Sequence, residues 1–206
     1  MGLFLALAGV IDASESEVAA ALADYTNTKN GSFQAETRST EDDDTLVVHG
    51  DNGNTCLLFP SNFFDWDDVS KALSLFLKKA VFSLHIHDGD LWMYVLYRDG
   101  IQVDGFNPIP DYWDEEISDE ERASFKGNAA IVSQYVPSVR SEDIEKYLVV
   151  WDLDADEPGK AYAHDEYPYG LDWQMLDFMK KLRLPYPMDS RGHPLGQTFL
   201  FKVPSK

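Results

Sequence analysis

The sequence predicts an α+β fold: an antiparallel sheet with helices on one face and a C-terminal helical layer. Three observations carry this. Phe82, Leu84 and Ile86 alternate with Ser83, His85 and His87, the period of a strand with one apolar and one polar face. Asp88-Gly89 and Asp99-Gly100 then separate that run from Leu91 to Arg98 and from Ile101 and Val103. Asp-Gly between β-rich runs marks type I′ turns, which need positive φ at both central residues, so this stretch reads as a three-stranded meander. Finally, Ser14 with Glu17 and Ser118 with Glu121 have the spacing of helix capping boxes.

Along the chain, Leu3 to Ile11 reads as the first strand. No Lys or Arg precedes that apolar run, and Asp12, Glu15 and Glu17 follow it, which is the wrong flanking charge for a secretion signal. Ser14 opens a helix with Val18, Ala21, Leu22 and Tyr25 on one stripe, ended by Asn30-Gly31. Phe33 to Arg38 reads as an exposed strand and residues 41–44 as a solvated acidic loop. Thr45 to His49 and Thr55 to Phe59 form a hairpin across residues 50–54. A second helix starts near Asp65 with Trp66, Val69, Leu73, Phe76, Leu77 and Ala80 on one side. Lys78 and Lys79 fall in its last turn, at the negative end of its dipole. The meander follows. The second strand of that meander is apolar on both faces, which predicts cover on both sides. A strand, then two helix-plus-three-strand units, predicts a ferredoxin-like opening or a duplicated unit.

After Asp111 the composition shifts. Ser118 caps a short helix ending near Gly127, and Ala129 to Val136 is helical. Ser141 caps a helix carrying Ile144, Tyr147, Leu148 and Trp151. Gly170 to Leu182 is a helix with Leu171, Met175, Phe178, Met179 and Leu182 apolar, stopped by Pro185 and Pro187. Thr198 to Val203 is a last strand at the sheet edge. Residues 1–110 are therefore expected to form the sheet core, and residues 111–206 a helical layer with a final strand, packed on it as one domain.

Charge narrows the partners. The chain has 36 acidic and 17 basic residues among 206, a formal net charge of −19. That opposes binding to nucleic acid, whose phosphates are neutralised by Lys and Arg, and to anionic membranes. It favours a basic protein partner. A solvated acidic surface without a charge-specific partner is the alternative. The single cysteine, Cys56, cannot form an internal disulfide, which fits a bacterial cytoplasmic setting. Its place in an apolar run predicts a buried, inert thiol.

Few constellations carry chemistry. His85 and His87 project from one face of a strand, so both imidazoles could meet a divalent metal, with Asp88, Asp90 or Asp104 as an oxygen ligand. A metal-dependent hydrolase is the expectation there; otherwise no cofactor is called for. Asp152, Asp154 and Asp156 have the spacing that starts a calcium loop, but Glu157 and Ala163 occupy its obligatory Gly and Glu places. Nucleophile-elbow, Walker and dinucleotide motifs are missing. The remaining signal is aromatic residues interleaved with acids: Asp104, Phe106, Asp111, Tyr112, Trp113, Asp114, Glu115 and Glu116, then Tyr162, Asp165, Glu166, Tyr167, Tyr169, Asp172 and Trp173. Tyr and Trp anchor interfaces, and surrounding acids can meet Lys and Arg. The leading expectation is thus a non-catalytic acidic binding protein, of the kind that neutralises a basic toxin as an immunity protein does.

Overall fold

A computed structural model describes residues 2–40, 42–113, 117–153 and 158–204. The eight strands are β1 (Leu5–Val10), β2 (Ser32–Ala35), β3 (Thr45–Asp51), β4 (Asn54–Leu58), β5 (Ala80–His87), β6 (Leu91–Arg98), β7 (Ile101–Phe106) and β8 (Gln197–Lys202). They form one sheet in the order β2-β8-β3-β4-β1-β5-β6-β7, and every ladder is antiparallel. The helices are α1 (Glu15–Thr28), α2 (Trp66–Leu77), α3 (Asp119–Ser124), α4 (Ala129–Tyr135) and α5 (Gln174–Leu182). The fold is α+β.

Local signals explain most boundaries. Both capping boxes form, with Ser14 and Ser118 each accepting from the third helical N–H while Glu17 and Glu121 reach back. Both Asp-Gly turns have positive φ, 53° and 75° at Asp88 and Gly89 and 52° and 77° at Asp99 and Gly100. The β3–β4 hairpin is tighter than residues 50–54 suggested. Its turn is Asn52-Gly53, with φ of 53° and 83°, so both strands run longer. Helix α2 stops at Leu77, and Lys78 sits beyond it in the left-handed region with φ 56°.

The sheet is covered on both faces, and the alternation of β1 shows why. Ala6, Ala8 and Val10 face a cluster with Val18 and Leu22 of α1 and Val69 and Leu73 of α2. Leu7 points the other way, into a cluster with Phe82, Leu84, Ile86, Val132 of α4 and Met175 and Phe178 of α5. A strand apolar on both sides needs cover on both sides. Residues from both halves of the sequence therefore share one core. The face of β5 expected to be polar is also partly covered: Ser83 is buried, and His85 is half-buried against the Trp66 ring.

Two C-terminal expectations change. Residues 141–151 form no continuous helix. A short 3-10 turn spans Ser141–Asp143, and successive i+3 bonds follow, Tyr147 N–H to Ile144 O and Leu148 N–H to Glu145 O. Ile144, Tyr147, Leu148 and Trp151 are buried all the same. The last strand is interior, hydrogen-bonded to β2 on one side and β3 on the other.

Cys56 lies in β4 with no exposure, and burial pushes its thiol pKa up. Ellman's reagent is expected to leave the native protein unmodified and to titrate the thiol only after unfolding. Rapid reaction of the native protein would contradict that placement.

Candidate functional site

The C-terminal ends of β4 and β5 lie on either side of the start of β1, because β1 pairs antiparallel with both. A cleft of about 880 Å³ opens at this end of the sheet. Phe63 and Trp66, from the segment that leads from β4 into α2, pack on the core beneath α1 and α2. Leu176 and Tyr186 pack on the opposite core, so the cleft wraps over the sheet end and draws on both layers. Phe4, Phe59, Phe64, Tyr167 and Trp173 add further rings to the lining. Its volume lies within the range of ligand pockets, roughly 300–1,000 Å³.

His85 and His87 both line this cleft, as residues two apart on a strand should. The His85 ring packs on Trp66 at 4.6 Å and meets His87 edge-on at 5.6 Å. Burial, with a smaller contribution from His87, lowers the His85 pKa to about 4, so its imidazole is neutral at neutral pH. The rings of Phe4, Tyr112 and Trp113 surround His87 at 5.0, 5.5 and 5.0 Å. Trp113 is 57% exposed and Phe4 48%, so this aromatic group stands at the surface beside the cleft. The Tyr112 hydroxyl donates to Asp90 at 2.7 Å, and that bond pushes its pKa up to about 12.

Asp104 is not with the histidines. Met93 and Val95 share the His85 face of the sheet, but Asp104 pairs with Leu96, on the opposite face. A bulge is the reason. Tyr97 pairs with Gln102 and Leu96 with Asp104, leaving Val103 as the extra residue. An unbulged register would have set Asp104 opposite Val95, on the histidine side; one inserted residue reverses the face. There Asp104 accepts from the Tyr94 hydroxyl at 2.7 Å and from the Asn128 amide that opens α4. Burial raises its carboxyl pKa against the lowering effect of those bonds. Among the described residues, no group of three or more His, Cys, Asp or Glu side chains is arranged to hold a metal ion.

The aromatic-acidic positions divide. Phe106 is buried, 4.8 Å from the Trp92 ring, and supplies no surface anchor. Asp165 is also buried, accepting from the Tyr147 hydroxyl at 2.7 Å and the Tyr162 amide at 2.8 Å, so it pins a loop. Asp111 takes a two-pronged bond from Arg122 that lowers its pKa. Glu166 is exposed and meets Lys180 at 3.3 Å. The Tyr169 hydroxyl donates to the Lys146 carbonyl. Tyr167 lines the cleft and Trp113 borders it through His87, so two segments distant in sequence reach one place. Asp114, Glu115 and Glu116 lie outside the described residues, as do Asp154, Asp156 and Glu157 of the aspartate-rich loop. Sequence reading missed Phe4, Phe63, Phe64, Trp66 and Tyr186, whereas Trp173 belongs to the aromatic-acidic stretch. Each of those missed looks locally like an ordinary core aromatic.

Fold and site together define an antiparallel α+β protein whose sheet end carries an aromatic cleft beside an exposed Trp113 and a half-buried Tyr112. No family model, no curated protein and no solved structure matches the chain. Among the described residues, no helix is long and apolar enough to cross a membrane.

Proposed function

We propose that this chain is a non-catalytic binding domain for a basic protein, engaged through Tyr112 and Trp113 where they flank His87. The observation that carries the reading is Trp113, 57% exposed and backed by His87, on a chain of net charge −19. Asp88 and Asp90 stand in and just after the adjoining β5–β6 turn, and Glu166 precedes the cleft residue Tyr167. An indole beside carboxylates suits Arg and Lys, which stack on its face while their charge meets the acids. An immunity protein that neutralises a basic toxin in a bacterial cytoplasm would present this chemistry, and a nucleic-acid partner would be repelled by it. The metal-hydrolase reading has less support, since Asp104 lies across the sheet and no third ligand joins His85 and His87 among the described residues.

The finer fold reading belongs to the same proposal. Strands β5-β1-β4-β3, with α1 and α2 on one face, follow the strand order of a ferredoxin-like core, to which β2, β8, β6 and β7 add. Duplication has less support. The first unit sets its last strand against β1, the second its first strand, and β8 separates β2 from β3.

The immobilised protein should retain a basic partner at about 50 mM salt and release it at about 500 mM, where screening is strong. Trp113→Ala should weaken retention about tenfold or more, as loss of an interface anchor does. If no cationic protein is held at low salt, or Trp113→Ala holds it equally well, the proposal fails.

A further inference from the structure

The interior of the cleft has a chemistry distinct from its acidic surroundings. Rings of Phe4, Phe63, Phe64, Trp66, Trp173 and Tyr186 line it from both layers of the fold. No lysine or arginine is among its described lining residues. Its one carboxylate, Asp189, is occupied within its own loop, accepting from the Arg191 and His193 amides at 2.8 Å each. His85 presents an imidazole whose ring nitrogens bond to no protein group among the described residues. The surrounding chain carries a net charge of −19.

These features select among ligands. An anion would meet a repulsive field and find no cation to pair with. A compact, strongly hydrated ammonium would lose its water shell for too few hydrogen bonds. A cation whose charge is spread under methyl groups loses little hydration, and ring faces attract it electrostatically. We infer that the cleft is a binding site for a small organic cation, a quaternary ammonium joined to an aromatic or branched apolar body. The volume of about 880 Å³ admits such a body whole. The inference does not rest on the protein-partner reading, because the cleft is lined independently of Tyr112 and Trp113.

The test is calorimetric titration with three probes of similar shape. Benzyltrimethylammonium is the cation, 2,2-dimethyl-3-phenylpropan-1-ol the uncharged analogue, and 3-phenylpropionate the anion. The cation should bind saturably and about tenfold or more tighter than the uncharged analogue, and the anion should not bind. Two variants localise the site. Ser61→Trp would fill the cleft from an exposed position, and Phe64→Ala would remove a ring that is 75% exposed and so carries little packing. Thermal melts read alongside verify that each folds. Ser61→Trp should abolish cation binding and Phe64→Ala should weaken it several-fold. The inference is overturned if the uncharged analogue binds as tightly as the cation. It is equally overturned if no saturation appears by about 10 mM, or if binding survives unchanged in folded Phe64→Ala.

Discussion

Phe178→Ala is expected to lower the unfolding free energy by about 3–5 kcal/mol. Phe178 has no exposure and sits where α5 meets the sheet. Its ring stacks on Tyr94 at 5.4 Å with planes 6° apart, and lies 5.2 Å from Trp92, 6.2 Å from Phe82 and 5.8 Å from Tyr147. Those partners belong to β5, to β6 and to the segment before α5. Truncation leaves a hole walled by rigid rings that cannot collapse into it, so the cavity cost adds to the lost transfer energy. For a chain of this length the melting temperature should drop by about 6–20 °C. Urea unfolding followed by tryptophan fluorescence and by far-UV circular dichroism measures it. A change below about 1 kcal/mol would mean that α5 is not part of the sheet's core.

The second large effect is acid-dependent. Between pH 6.5 and about 4, an unfolded chain protonates His85 while the folded protein resists, because its pKa is lowered to about 4. In that window the unfolded state holds more protons, so stability falls as pH falls. The shift corresponds to a loss of up to about 3 kcal/mol, complete near pH 4 and absent above pH 7. Other groups titrate in the same range, so the difference between two proteins is the clean reading. Relative to His85→Phe, which keeps a ring against Trp66, the natural protein should lose about 2–3 kcal/mol between pH 7 and 4.5. Parallel stability curves for the two proteins across that range would show that His85 is solvated. A chemical-shift titration should place its midpoint near pH 4.

The sequence displayed the local devices plainly. Asp88-Gly89 and Asp99-Gly100 could be read as hairpin turns because so few residues tolerate positive φ, and Ser14 with Glu17 as a helix start because the bonds close within one turn. What failed were inferences that depend on distance along the chain. Asp104 was expected within reach of His85 and His87, but nothing in the local pattern announces the extra residue Val103 that turns it to the other face. Ile144, Tyr147, Leu148 and Trp151 have helical spacing, yet the same spacing serves successive i+3 turns that bury one side. The site was half legible. The shared face of His85 and His87 follows from strand alternation, whereas the meeting of Phe4, Phe63, Trp173 and Tyr186 follows from which strand ends coincide.

The position of β8 has a consequence for how the molecule is made. A ribosome delivers residues 32–35 and 45–51 long before residues 197–202, and among the described strands β2 has no neighbour except β8. Until residues 197–202 have been made, the outer rim of β3 is therefore bare backbone, open to whatever extended peptide arrives first. The final strand closes that gap as a wedge, and a nascent chain stalled before it should be prone to swapping strands with its neighbours.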